Sequence, residues 1–455
     1  MNKRVNPAVL LLVLLTFLAS IMTPVCVRAD SSNSAWSMFR GDAARTGYLA
    51  NASSIVTGWN YSIYSPVLSS PAVSNGLVFI KGEHLLCLNS STGAKVWESS
   101  INSAQQFSSP IVSDGYVYAC NDLQGTVGGE VYALNETNGE QIWSFPANVS
   151  SSTPAVANGI VYAGSDNGNV YAIDAHSGQK LWNYSTGGAV NSSPAATNGI
   201  VYVASDDGNV YALNASTGNK IWNYTTGIAV QYSIISSPTV ANEIVYFGSD
   251  NSGVYALNAT TGDKIWNFTN PYSIISTPAV SGNSVFVVTS LYIYALDALT
   301  GAKLWEYQMN PEYAPNGNEP SSPAVAEGIV YVNSFDYNLY ALNASTGDKV
   351  GNFTVIQTDI DFLARFSSPA IANNTIYVGI DGTLYAINIS SFSIAKSSSL
   401  YIFEITAAAS VIVVAFLILG LLLYRQHRKT ANSSQKSLTK LWSRNLYKNA
   451  FNSNQ

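Results

Sequence analysis

One nine-residue phrase returns six times along the chain. Its copies are NSSTGAKVW, NETNGEQIW, DAHSGQKLW, NASTGNKIW, NATTGDKIW and DALTGAKLW, ending in Trp97, Trp143, Trp182, Trp222, Trp266 and Trp305. A second phrase, two Ser/Thr residues followed by Pro, returns at Pro71, Pro110, Pro154, Pro194, Pro238, Pro278, Pro323 and Pro369, at spacings of 39 to 46 residues. A period of about 40–50 residues with strand-like content marks a propeller or an array of repeats. This repeat constrains the fold far more than the function, because such scaffolds host many activities.

The segment from Ser193 to Tyr224, SPAATNGIVYVASDDGNVYALNASTGNKIWNY, shows what one repeat encodes. IVYV, VYAL and KIWNY are rich in β-branched and aromatic residues, which suit strands. Asn198-Gly199 is expected to supply two positive φ angles, as a two-residue hairpin turn requires. Asp207-Gly208 is expected to do the same between the second and third strands, and Ser216-Thr217-Gly218 turns the chain into the fourth. Pro194 opens the first strand, where a missing N–H is tolerated at a sheet edge. Each repeat therefore reads as a four-stranded antiparallel meander with its first strand at the channel.

Counting predicts closure. There are eight Pro phrases, yet Gly351 replaces the Trp of the seventh repeat and the eighth lacks a fourth strand. TGWNYSI, from Thr57 to Ile63, precedes the first Pro phrase and carries Trp59. The expected fold is all-β: an eight-bladed β-propeller of four-stranded antiparallel blades, its last blade completed by the N-terminal strand. That arrangement removes the open edges of the sheet.

On these residues the chain resembles the pyrroloquinoline-quinone (PQQ)-type repeat propellers, which include quinoprotein dehydrogenases and the bacterial outer-membrane-assembly propeller lipoprotein. The non-catalytic assembly type is the nearer in kind. ALNASTGNKIW resembles that family's tryptophan-docking motif, which implies that Trp59, Trp97, Trp143, Trp182, Trp222, Trp266 and Trp305 pack between blades. AWSMFRGDAARTGY, Ala35 to Tyr48, is similar to the lead-in of such propellers. The resemblance covers roughly residues 35 to 390.

The chain divides into a signal peptide at 1–29, a lead-in at 30–56, a propeller at 57–395, a transmembrane helix at 401–424 and a basic tail at 425–455. Lys3 and Arg4 precede an apolar run, and Val27-Arg28-Ala29 fits a cleavage site; an uncleaved anchor is the other reading. Ile405 to Tyr424 carry no charge over a length that spans a bilayer. Arg425, Arg428 and Lys429 follow at once, so the positive-inside rule places the propeller outside and the C-terminus in the cytoplasm. Leu438, Leu441, Trp442, Leu446 and Ala450 share one helical face opposite Lys436, Lys440, Arg444 and Lys448. That tail reads either as a helix on anionic lipid or as a disordered stop-transfer segment.

From Asp30 to Glu404, eleven basic residues face all 27 acidic ones, and the absence of a basic patch argues against nucleic acid. Asn51, Asn60, Asn183, Asn214, Asn223, Asn258, Asn267, Asn343 and Asn352 lie in N-x-[ST] sequons, read as candidate glycosylation sites or as turn residues multiplied with the repeat. Cys87 and Cys120, in adjacent blades, read as a disulfide pair or as two small buried residues.

A catalytic site is hard to find. The resembling dehydrogenases need a channel-floor Trp, calcium ligands, a catalytic Asp and adjacent cysteines; here only Trp36 is spare and no cysteines adjoin. No cofactor is expected, PQQ and calcium being unsupported. Asp166, Asp206, Asp250, Asp336 and Asp381 recur between second and third strands, either as a cation-binding ring or as turn caps. His84, His176 and His427 form neither a zinc site nor a triad. The irregular inter-blade connections suggest a candidate binding rim of exposed Tyr232, Tyr272 and Tyr313 with Asp359, Asp361, Phe362 and Arg365; loop drift is the alternative. The expected function is a membrane-anchored, non-catalytic binding or assembly scaffold at the cell surface. Its expected partner is an extracellular protein or glycan, and the rival is a quinone-dependent oxidoreductase.

Overall fold

The computed structural model describes residues 48–49, 58–63, 69–101, 108–121, 128–149, 151–226, 236–249, 253–274, 276–311, 321–354, 367–380 and 382–389. The chain separates into two units, Met1–Phe392 and Ser393–Gln455. The signal segment, the apolar run Ile405–Tyr424 and the basic tail lie outside the described residues. Among the described residues no helix is long and apolar enough to cross a membrane.

The first unit is an eight-bladed propeller of antiparallel four-stranded sheets. Blade 4 is representative: Ala195–Thr197, Ile200–Ala204, Asn209–Asn214 and Lys220–Thr225 pair in that order. Its second and third strands are buried over most of their length. Both faces pack on neighbouring blades, so apolar residues run on without alternation. Val203 and Leu213, for example, join Trp182 and Tyr162 of blade 3 in one core. Blade 8 contributes Ala370–Ala372, Thr375–Ile380 and Thr383–Asn388, and its fourth strand is Trp59–Ser62, with Trp59 opposite Ala386. The displaced strand thus closes the propeller as the repeat count requires.

The turns follow from their residues, with one correction. Asn198 and Gly199 take φ of 51° and 75°, the paired left-handed geometry of a tight hairpin. Asp207-Gly208 does not repeat it. Only Gly208 is left-handed, at φ 83°. Its N–H returns to Ser205 O at 3.0 Å, and Ser205 N–H bonds Asn209 O at 2.9 Å. Asp207 keeps an ordinary backbone because its carboxylate caps the turn instead, accepting from Asn209 N–H.

Each regular fourth strand contains a bulge. In blade 4, Ala212 faces Trp222 and Leu213 faces Lys220, leaving Ile221 as the extra residue. The bulge turns the Trp inward and the preceding aliphatic outward, so Val96, Ile142, Leu181, Ile221, Ile265 and Leu304 are all exposed. A bulged, lysine-bearing outer strand is a poor template for another strand.

Candidate functional site

The blade junctions are built around the repeated tryptophans. Trp222 is buried, and its Nε1–H donates to Ala259 O of blade 5 at 3.0 Å. The Tyr202 hydroxyl, from the second strand of blade 4, donates to that same carbonyl at 3.0 Å. The two rings lie 5.9 Å apart, and the indole rests on Gly262, where an added Cβ would stand 2.7 Å from Trp222 Cδ2. The glycine is required twice, by contact and by its φ of 77°. Trp97, Trp143, Trp182, Trp266 and Trp305 repeat the bond to Glu136, Ala175, Ala215, Ala298 and Ala344 carbonyls at 2.9–3.0 Å. Trp59 makes it to Ser90 O at 2.9 Å, although it is only half-buried.

The Ser/Thr pair before each Pro has two separate tasks. The first hydroxyl binds the second strand of its own blade: Ser192 Oγ donates to Ala204 O and accepts Ala204 N–H, both at 2.8 Å, while Ser152 Oγ accepts Gly164 N–H and donates across to Ser192 O at 3.0 Å. The second crosses to the neighbour. Ser70 N–H donates to Ser109 Oγ, Ser109 N–H to Thr153 Oγ1, Thr153 N–H to Ser193 Oγ and Ser193 N–H to Ser237 Oγ, at 2.9–3.0 Å. Thr277 to Ser322, Ser322 to Ser368 and Ser368 back to Ser70 repeat the bond at 2.9–3.1 Å, which makes seven such links around the eight blades. These hydroxyl links have no sequence signal beyond the phrase itself.

At the channel the first strands carry mostly small residues, such as Ala155–Ala157 and Ala195–Thr197. The inner edge of blade 7 is taken by the lead-in: Tyr48–Leu49 pairs in parallel with Ala324–Ala326, Tyr48 opposite Val325.

The acidic turns are of two kinds. Asp207 accepts from the Tyr211 hydroxyl at 2.6 Å and from Gly187 N–H at 2.7 Å. Burial pulls its pKa up, but these bonds and those from Asn209 outweigh it and hold the carboxyl below the usual range. Asp336 occupies this same register, accepting from the Tyr340 hydroxyl, because Phe335 takes the place of Asp206. Asp206 accepts from Asn191 Nδ2 at 2.9 Å. Burial first, then the charges of Asp166 and Asp207, raise its pKa. Asp166 is exposed, while Asp250 and Asp381 lie outside the described residues. No three His, Cys, Asp or Glu side chains converge as metal ligands among the described residues.

Of the candidate rim, Tyr232, Tyr313, Asp359, Asp361, Phe362 and Arg365 lie outside the described residues. Tyr272 is half-buried rather than exposed, because its ring packs 5.6 Å from Tyr292 and its N–H is capped by Asn270 Oδ1. Asn60, Asn183, Asn223, Asn267 and Asn352 are exposed on fourth strands. Asn214, Asn258 and Asn343 cap the turn that follows, and Asn51 lies outside the described residues. Cys87 and Cys120 are free and buried, and burial pushes each thiol up to about 12. His84 reaches the Ile101 carbonyl, while His176 packs edge-on against Tyr116. Every described Trp is committed to a junction, and Trp36 lies outside the described residues.

The sequence matches the family model described as outer membrane protein assembly factor BamB over residues 127–267 and 229–418. No curated protein matches it. Among solved structures, BamB from Moraxella catarrhalis is similar at 17% identity and TM-score 0.58, over 73% of this chain and 98% of that one. The quinohemoprotein alcohol dehydrogenase of Comamonas testosteroni is similar at 14% identity and TM-score 0.64, over 80% and 82%. These likenesses show the shared propeller fold. With the family model covering more than half of its length, the chain belongs to the outer membrane protein assembly factor BamB family.

Proposed function

We propose that this protein is a non-catalytic binding or assembly scaffold, held in the membrane by one helix with its propeller outside the cell and its basic tail against anionic lipid. The observation that carries the reading is the use of the channel. Its hydroxyls hold neighbouring blades together, and the lead-in pairs with an inner edge, so the funnel is organised for structure. Family membership supports an assembly role, and a protein partner follows from it. Loops on a rigid frame are where such a scaffold recognises partners.

The test is a pull-down with the full chain, comparing the parent with a variant trimmed of Glu312–Asn318 and substituted at Asp359, Asp361 and Phe362. Loss of capture with an unchanged melting temperature supports the reading. Capture lost instead on Asp206→Asn moves the site to the acidic turns. Dye reduction on adding quinone and calcium establishes the enzymatic rival.

A further inference from the structure

The turn between the third and fourth strands of a blade is closed by one side chain, Asn or Asp. Asn89, Asn135, Asn214, Asn258 and Asn343 hold that place in five blades, Asp174 and Asp297 in two. In all seven, Oδ1 accepts the N–H groups two and three residues on, at 2.8–3.3 Å. Asp serves as well as Asn, so the turn requires only the acceptor oxygen. The Nδ2 atoms of these five Asn make no hydrogen bond among the described residues.

The second residue after the cap separates the two sets. It is Ser91, Thr137, Ser216, Thr260 and Ser345 after the five Asn, but His176 and Leu299 after the two Asp. Those five hydroxyl residues are exposed, and their hydroxyls make no hydrogen bond among the described residues. The turn uses a hydroxyl one residue later, as Thr217 Oγ1 donates to Asn214 Oδ1 at 3.1 Å. In blade 2 even that one gives way to Asn138, yet Thr137 stays. Folding accounts for the acceptor oxygen but not for a hydroxyl that accompanies Asn and never Asp. Asn-x-Ser/Thr is the acceptor motif for an N-linked glycan.

The same motif on fourth strands is used differently. Asn183 Nδ2 and Ser185 Oγ both donate to Asn169 Oδ1, at 3.2 and 2.6 Å. Asn223 with Thr225, and Asn352 with Thr354, do the same to Asn209 and Asn338. There both halves of the motif tie strand to strand, and the nitrogen that a sugar would take is already bonded.

We propose that N-linked glycans are carried by the turn residues Asn89, Asn135, Asn214, Asn258 and Asn343, and not by Asn183, Asn223 and Asn352. The proposal rests on the propeller lying outside the cell. The donor is a sugar linked to a lipid diphosphate. Its C1–O bond to phosphate breaks, C1–Nδ2 forms, Nδ2 loses a proton and the lipid diphosphate leaves. Oδ1 goes on capping the turn. Ala215 N–H bonds Gly199 O, so these turns share a face with the first hairpins. The acidic turns lie at the other end of the strands, where the inter-blade connection Gly187 meets Asp207. The glycans thus cover one face and leave the other open to a partner.

The test is site-resolved glycopeptide mass spectrometry on the full chain purified from its own membranes. Sugar is expected on the five turn residues and absent from Asn183, Asn223 and Asn352. Ser216→Ala should remove it from Asn214. Bare turn residues overturn the proposal, as does sugar on the three strand residues or sugar that persists on Asn214 in Ser216→Ala. Labelling intact cells with a membrane-impermeant amine reagent separates this from the topology. Lys220 labelled with Asn214 bare sinks the glycan alone. Lys220 labelled only after lysis sinks the outside placement and the glycan with it.

Discussion

Trp59 donates its indole N–H to Ser90 O at 2.9 Å, joining the N-terminal strand of blade 8 to the turn before the fourth strand of blade 1. The Tyr377 hydroxyl, from the far end of the propeller's sequence, donates to the same oxygen at 3.2 Å. This carbonyl is where the two ends of the repeat array meet. It has the same donor pair that Trp222 and Tyr202 present to Ala259. Closure therefore uses the ordinary junction chemistry on a strand borrowed from elsewhere in the chain.

Deleting Ser54 to Ile63 should expose the outer edge of Thr383–Asn388 and yield an aggregating propeller, since an unpaired edge recruits other strands. Size-exclusion chromatography and thermal melting test this. A truncated protein that stays monomeric and melts like its parent would show that closure contributes little.

The Trp–Gly contact predicts a coupled pair. Trp222→Ala should cost about 3–5 kcal/mol, the usual range for a buried Trp. Gly262→Ala should also destabilise, because a Cβ there meets the indole and the backbone is left-handed. The double variant should lose less than the sum, since the collision vanishes with the ring. Denaturant melts of the four proteins would show full additivity if the two residues were independent.

The hydroxyl links between blades make a residue-specific prediction at Ser193. Ser193→Ala leaves Thr153 N–H buried without its acceptor, at a cost of about 1–3 kcal/mol. Ser193→Thr should be tolerated, because Thr153 and Thr277 stand at the same place in their own blades. Equal melting of the Ala and Thr variants would remove the hydroxyl from the account of why blades stay together.

The elements read most directly from sequence are those whose residues make strict backbone or packing demands. Asn198-Gly199, the repeated Trp and the displaced Trp59 belong here. What escaped was long-range or one residue out of register. The partners of the Ser/Thr pairs lie a whole repeat away, so Ser193 looks like any polar residue before a Pro. Asp336 resembles Asp206 by eye, but Phe335 shifts it onto the position of Asp207. Tyr272 lies in an irregular connection where no repeat tells which way a ring turns.

Neighbouring Asp206 and Asp207 should respond to pH with opposite sign. The Asp207 carboxyl is held below its unfolded value of about 3.9. The stability it contributes is full above that value and is lost as pH falls through its folded pKa. Asp207→Asn should therefore lower Tm at pH 7, and the gap from the parent should close as the solution is acidified. Asp206 is raised, first by burial and then by Asp166 and Asp207. Its contribution is present below the unfolded pKa and is lost as pH rises through the folded one. Asp206→Asn keeps the bonding partner Asn191 but removes a charge the fold disfavours, so it should hold or raise Tm at pH 7 and lose that advantage in acid. Melting curves across about pH 2–8 decide the matter: if both variants change Tm with the same sign at pH 7, the hydrogen bonds from Tyr211 and Gly187 do not set the difference between these two carboxylates.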